Sequence, residues 1–217
     1  ALHAAFSATA RLVNEGTPFF GLIPEPTPGL INATLEAASA SDYQLNGLAW
    51  YDENKPVQVE WSLQPGRAST GKVNHQGILR ESIRRLLTDA GEPQRYIKIH
   101  TAVMADLAVN DALSADVQQL RGDAPAELQK DVSNIVTDSK FLRHMDFTSQ
   151  EKESGFWWFA QSEELPVPLT DRVEAAVLEC LRQQNTTSLP DLVQQLNSQF
   201  PGFQTPDVES LERCLSS

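Results

Sequence analysis

The chain has 217 residues, of which 41% are hydrophobic, and a formal net charge of −12. This hydrophobic content suits a packed core of one large or two small domains, which excludes a wholly disordered chain. The negative charge opposes tight, sequence-independent attraction to a phosphate backbone.

Targeting features are weak throughout the sequence. No apolar run approaches the roughly 20 residues that span a bilayer, and the first ten residues lack the basic start and apolar centre of a signal peptide. We therefore expect a cytoplasmic protein with no membrane partner. The chain begins at Ala1, and the helical rhythm of Val208, Leu211 and Leu215 continues to its end. This suggests a piece of a larger protein.

Cysteine and histidine usage predicts no metal centre and no disulfide. Cys180 and Cys214 fall on apolar faces of predicted helices, where a free thiol acts as a small core side chain. The four histidines are scattered, and none forms a cluster at metal spacing. They are His3, His75, His100 and His144.

The first part of the chain predicts helices that flank a hairpin. Helical spacing at 4–13 and 30–39 is separated by 17–29, whose four prolines favour an extended connector. Two strands follow at 48–51 and 57–63, and apolar residues alternate in the second. We expect the tryptophans of these strands to pack in the core rather than stack on bases.

Two helices are predicted next, at 78–88 and about 94–108, as a helix pair near 77–108. His100 lies among apolar neighbours in the second helix and is expected to be a hydrogen-bonded core histidine rather than a base. Weaker helical segments are predicted near 112–120 and 127–136. The aromatic run 155–159 predicts a strand that returns to the sheet beside the hairpin.

The last fifty residues predict three short helices. Asp171 and Ser188 are expected to cap the first two, and Thr205-Pro206 is expected to begin the third. This outline is typical of a helix-turn-helix or a winged-helix unit. The prediction is an α+β fold, mostly helical, with a small antiparallel sheet and a C-terminal three-helix winged-helix-like unit. Domains are expected at 1–150 and 151–217.

One near-match to a phosphate-binding loop occurs at 66–73, after a predicted strand. Its last position should be Ser or Thr, whose hydroxyl holds magnesium, but here it is Val73. A helix should also begin at Lys72, whereas residues 74–77 delay it. Degenerate nucleotide binding is therefore the weakest of the functional readings.

Charge is uneven along the chain. Residues 67–100 hold seven Lys/Arg and three acids, a surplus of +4, so any nucleic-acid contact is expected there first. A solvated basic helix face is the alternative. The candidate contacts are Arg80, Arg84, Arg85, Arg95 and Lys98. Residues 168–217 instead hold seven acids and three arginines, a net −4, which favours protein contact over DNA contact by the terminal helices.

Two stretches, 155–174 and 200–217, resemble the C-terminal, non-catalytic region of large bacterial proteins described as predicted DNA modification methylases. The first includes Gly-Phe-Trp-Trp-Phe-Ala and Pro-Leu-Thr-Asp-Arg-Val-Glu, and the second includes Phe-Pro-Gly-Phe-Gln-Thr-Pro-Asp and Cys-Leu-Ser-Ser. Residues 48–63 and 77–108 are similar in layout only.

The resemblance implies S-adenosylmethionine-dependent methylation of DNA by the parent protein. The Asp/Asn-Pro-Pro-Tyr/Phe tetrapeptide and the Phe-x-Gly-x-Gly loop of such enzymes are absent from this sequence. We therefore expect an accessory domain with no catalytic residue and no cofactor, which positions DNA or a partner. Its expected partners are the rest of the parent polypeptide, DNA, and a protein bound by the C-terminal helices. The alternative is an interaction module of another intracellular assembly.

Overall fold

The computed structural model describes residues 1–50, 55–66, 75–113, 124–145, 153–161, 167–183 and 188–216. These residues form an α+β fold that is mostly helical, as the sequence predicts. The helices are α1 (Leu2–Ala10), α2 (Pro28–Ser39), α3 (His75–Ala90), α4 (Tyr96–Val109), α5 (Ala124–Val136), α6 (Leu169–Gln183), α7 (Leu189–Gln199) and α8 (Val208–Ser216). The strands are β1 (Pro18–Ile23), β2 (Tyr43–Ala49), β3 (Val57–Leu63), β4 (Gln94–Arg95), β5 (Leu142–His144) and β6 (Phe156–Phe159), and a 3₁₀ turn spans Gly202–Gln204.

The first sheet has the antiparallel order β1-β3-β2, with β3 in the centre. Val57, Val59 and Trp61 alternate along β3 and are all buried, which confirms the predicted inner face. The preceding strand begins earlier than predicted, at Tyr43, and residues 51–54 lie outside the described part of the chain. Trp50 is also buried, as expected, and its indole N–H donates to the Lys55 carbonyl.

The connector predicted at 17–29 is wrong in its first half, because residues 18–23 form the edge strand β1. Proline is compatible with the first position of an edge strand, since no neighbouring strand needs its missing N–H. The second half agrees better with the prediction. Pro28 begins α2, and the Thr27 hydroxyl accepts from the Leu30 N–H as its N-cap.

The aromatic strand β6 is present but does not join the hairpin sheet, so that prediction is wrong. It pairs antiparallel with β4 and β5 in a second sheet of order β4-β6-β5. Its two partners have only two and three residues, too few to show a period of two in the sequence. Gln94 and Arg95, predicted as the start of a helix, form β4.

The core is divided into two clusters. The larger cluster contains buried residues from α1 to α5 and from both sheets, including Trp157 and Trp158 of β6. The smaller cluster lies within the three C-terminal helices, and its buried residues are Val173, Ala176, Val177, Cys180, Leu192, Leu196, Phe200 and Leu211. Both cysteines are free thiols.

The C-terminal helices begin partly as predicted. The Ser188 hydroxyl accepts from the Asp191 N–H, which confirms that cap. Asp171 is not a cap, because α6 already begins at Leu169. Asp207, not Thr205, caps α8, because its carboxylate accepts from the Ser210 N–H at 2.6 Å. The observed cap therefore lies two positions after the predicted one.

The remaining predicted helices are found with small shifts at their ends. α3 and α4 extend slightly beyond the predicted helix pair, and α5 contains the segment predicted at 127–136. Most of the segment predicted at 112–120 lies outside the described residues, although Ala112 and Leu113 are helical and buried.

Candidate functional site

The five candidate contacts lie on two packed helices and the strand between them. Arg80, Arg84 and Arg85 lie on α3, Arg95 ends β4, and Lys98 lies in the first turn of α4. The other two basic residues of this segment, at 67 and 72, lie outside the described residues, as does nearly all of the loop at 66–73.

Arg80 contacts two other side chains, those of Asp138 and Phe141. Its guanidinium donates to the Asp138 carboxylate at 2.7 Å and lies 5.0 Å from the centre of the Phe141 ring. The hydrogen bond from Arg80 lowers the pKa of Asp138 below its ordinary value. This arginine therefore already has an anionic partner.

The other two arginines of α3 are also paired with carboxylates. Arg84 contacts Glu81 at 3.0 Å on the same helix, and Arg85 contacts Asp106 of α4 at 2.5 Å. Both contacts are partly exposed and salt-sensitive, so they contribute little to stability. The carboxylates of Glu81 and Asp106 nevertheless reduce the net positive charge that α3 presents to a phosphate.

Arg95 and Lys98 have different surroundings. The Arg95 guanidinium lies 4.9 Å from the centre of the Phe156 ring. Lys98 lies close enough to Glu92 to favour its ionised form. Burial has the larger effect on Glu92 and raises its pKa above the ordinary value, while Lys98, a hydrogen bond from Thr170, and Arg172 oppose that rise.

Arg85 and Lys98 line the same cavity, which has a volume of about 210 Å³. We call it the junction cleft, because α3 and α4 of the larger core form one wall, and the start of α6 with the turn 201–204 forms the other. Its polar lining residues are Ser82, Arg85, Asp89, Gln94, Lys98 and Gln204. Arg80, Arg84 and Arg95 are not among its lining residues.

Two of these polar side chains are almost completely buried. Ser82 is 3% exposed, and its hydroxyl has no hydrogen-bond partner among the described residues. Gln94 is 7% exposed, and its side-chain amide donates to the Glu92 carbonyl at 3.2 Å. A buried hydroxyl without a partner is unusual, because its desolvation is not offset.

A hydrogen bond joins the two walls of the cleft. Arg172, near the start of α6, donates to the backbone carbonyl of Asp89 at the end of α3. A second cavity of about 190 Å³ lies beside the junction cleft and shares Lys98, Leu169, Phe203 and Gln204 with it. The three-helix unit therefore has a polar, indented contact with the larger core.

His100 has the structural role that the sequence predicts. It is fully buried, and its Nε2 lies 2.7 Å from the Asn32 side-chain oxygen on α2. Burial lowers the pKa of His100 to about 4, so its neutral form is stable at neutral pH. Within the described ranges, no group of three His, Cys, Asp or Glu side chains is arranged to hold a metal.

The sequence analysis identified Arg85 and Lys98 but missed Ser82, Gln94 and Gln204. A helical wheel of α3 shows part of the signal, since Ser82, Arg85 and Asp89 are spaced at i, i+3 and i+7 and share one face. Gln204 lies more than a hundred residues away, and no local pattern connects it to that face.

The chain matches no protein-family model, curated protein or solved structure to which it was compared. None of the helices in the described ranges is both long and apolar enough to span a membrane.

Proposed function

We propose that this chain is a non-catalytic accessory domain of a larger, cytoplasmic DNA-modifying protein, and that its C-terminal three-helix unit contacts a protein surface. The resemblance of residues 155–174 and 200–217 to the methylase C-terminal region supports the first part. The protein surface that the three-helix unit contacts can belong to another part of the same polypeptide.

The observation that carries the protein-contact role is the uncovered apolar surface of the three-helix unit. Val208 and Leu215 of α8 are 46% and 44% exposed, and because they are seven residues apart they lie on the same side of the helix. Leu178 and Leu181 of α6 are exposed as well. Exposed apolar side chains are typical of interaction sites where they form a contiguous surface.

The five basic candidate residues give less support to direct DNA contact. The three helical arginines are paired with Asp138, Glu81 and Asp106, so phosphate would have to displace internal partners. The three-helix unit itself has the net charge of −4 noted above, which repels a phosphate backbone. A role in positioning DNA therefore depends on the parent protein more than on this chain.

The class of parent protein is tested by the gene sequence on both sides of this chain. We expect a methyl-donor loop and an Asp/Asn-Pro-Pro-Tyr/Phe tetrapeptide in the same polypeptide. A parent without them would contradict the DNA-modifying role and favour an interaction module of another assembly. By itself the chain is expected not to bind S-adenosylmethionine, and micromolar binding by calorimetry would contradict its accessory role.

The contact surface is tested with the purified chain and the remainder of the parent protein. We expect the two to co-elute in size-exclusion chromatography, and Val208→Glu combined with Leu215→Glu to abolish the complex. Leu12→Glu is the control, since Leu12 is 85% exposed in a turn remote in sequence from the three-helix unit. Equal loss with the control, or none with the double variant, would exclude this surface.

A further inference from the structure

The two edges of the β1-β3-β2 sheet differ in what lies beside them. The β2 edge is interrupted by a β-bulge between Leu45 and Gly47 and packs against α4 and the 3₁₀ turn. Strand β1 is bonded to β3 on one side, and no other backbone–backbone hydrogen bond joins residues 18–23 to a described segment. An open strand edge is a template for another strand, because its outward N–H and C=O groups lack partners.

Apart from Pro18 at its first position, β1 lacks the features that usually protect an edge strand. Charged side chains and bulges are the common ones. Residues 18–23 carry no charge, and their register with β3 is continuous. Phe20 and Leu22 on the outer face of the sheet are 71% and 67% exposed. A strand added at this edge would therefore also remove apolar surface from water.

The sequence of β1 suggests which strand fits there. It is symmetric in character about Gly21, because two apolar residues and then a proline lie on each side. Two copies of β1 that pair antiparallel about a two-fold axis at Gly21 place Phe20 opposite Leu22 of the second copy on the outer face. On the inner face, Phe19 lies opposite Ile23 of the second copy.

The two prolines fit the same register. Pro18 and Pro24 lie three residues before and after Gly21, so they oppose each other at the two ends of the paired segment. A proline has no N–H to donate and is tolerated at the end of a strand. All side-chain pairs in between are apolar, which is a self-complementary pattern.

The charges near β1 also allow a second copy at this edge. Glu25, just after the strand, lies opposite Thr17 of the second copy, so like charges do not meet there. Glu60 of β3 would lie three strand spacings, about 14 Å, from its equivalent. That distance exceeds the Debye length of about 8 Å at physiological salt. The remaining obstacle is the net charge of −12 on each copy, whose repulsion salt screens.

We propose that two copies of this chain associate through β1, as an antiparallel pair centred on Gly21 that joins two three-stranded sheets into one sheet of six strands. The contact is small, because a six-residue strand is only about 20 Å long and stable complexes bury about 800 Å² on each partner. The dimer is therefore weak, with a dissociation constant of about 10–100 µM. This contact is separate from the three-helix surface, and its test does not use the parent protein.

Sedimentation velocity of the full 217-residue chain tests the association. We expect a reversible monomer–dimer equilibrium at about 0.15 M salt, with half of the chain dimeric below about 0.5 mM. The dissociation constant should fall at least about threefold between 0.01 M and about 0.15 M salt, because screening weakens the repulsion between the two acidic copies. A chain that stays monomeric, or a dimer that weakens as salt is added, would overturn the proposal.

Two variants and their mixture test the register. Phe20→Lys and Leu22→Glu should each abolish the dimer, because each places a charge opposite an apolar side chain. Both side chains are exposed, so the melting temperatures should change little. An equimolar mixture of the two variants should dimerise again, since the introduced lysine lies opposite the introduced glutamate and the unchanged leucine lies opposite the unchanged phenylalanine. A mixture that remains monomeric would exclude the register centred on Gly21.

Leu178→Lys is the matched control, because Leu178 of α6 is 47% exposed and the change in charge equals that of Phe20→Lys. It should leave the dissociation constant unchanged. A dimer that is lost in Leu178→Lys but kept in Phe20→Lys would assign the contact to the three-helix unit. Amide hydrogen exchange gives a separate measure of strand pairing, since exchange at alternate residues of β1 should slow in the dimer. Unchanged exchange there would show that the two sheets do not pair at this edge.

Discussion

Replacement of Gly21 by alanine tests the edge strand that the sequence did not predict. A Cβ at this position of β1 would lie 2.6 Å from Cζ3 and 3.1 Å from Cη2 of Trp61 on β3. An ordinary carbon contact is about 3.5–4.0 Å, so the ring must move by about 1 Å. Trp61 is only 2% exposed, and its ring contacts the rings of Phe6 and Phe19, with centroid distances of 5.5 and 5.9 Å. The indole therefore has little room to move.

Overpacking of this kind costs about 1–3 kcal/mol. Alanine also restricts the unfolded chain, which offsets about 0.4–1 kcal/mol of that cost. We expect the free energy of unfolding of Gly21→Ala to fall by about 1–2 kcal/mol. Gly47→Ala is the matched control, because Gly47 lies on the other edge strand and a Cβ there has no atom within 4 Å. It should be neutral, or stabilising by up to about 1 kcal/mol.

Urea unfolding followed by tryptophan fluorescence measures both variants. A difference of about 2 kcal/mol between them corresponds to roughly 4–8 °C in melting temperature for a chain of this length. If Gly21→Ala proved as stable as Gly47→Ala, β1 would not lie against the Trp61 ring and the observed register would be wrong.

Three further predictions concern burial, charge and capping. The pKa of His100 is about 4 in the folded chain, below the ordinary 6.5, so the unfolded chain binds the proton at a higher pH than the folded chain does. A contribution on the order of 3 kcal/mol to the free energy of unfolding is therefore present above pH 6.5 and is lost as the pH falls toward 4. His100→Gln should flatten this part of the unfolding free energy measured against pH, and an unchanged slope would contradict the assignment. Affinity for duplex DNA is expected to be weak when it is measured by fluorescence anisotropy at low and moderate salt. Replacement of both Arg80 and Arg84 by Glu should abolish this affinity, whereas Arg213→Glu should change it little. The opposite ranking would show that the terminal helices bind the DNA. Asp207→Ala should lower the unfolding free energy by about 1 kcal/mol, as loss of an N-cap does, and no loss in urea titration would restore Thr205 as the cap.

Local signals in the sequence were sufficient for the long helices and the central strand. The apolar spacing of α3 and the strict alternation of Val57, Val59 and Trp61 indicate their type without reference to any other part of the chain. Ser188 was recognised as a cap because capping depends on residues three apart. The location of His100 in the core followed from its apolar neighbours.

Only the tertiary structure decided which strands pair and what surrounds the charged residues. β4 and β5 are strands because the backbone of β6 lies between them, and their own two or three residues carry no periodic signal. The basic residues were found in the sequence, but the carboxylate of Asp138 that pairs with Arg80 is 58 residues away. The junction cleft likewise exists because the turn at 201–204 packs beside α3 and α4. Pairing, charge compensation and cavities depend on distances between remote segments, and such distances are set by the packing of the whole chain.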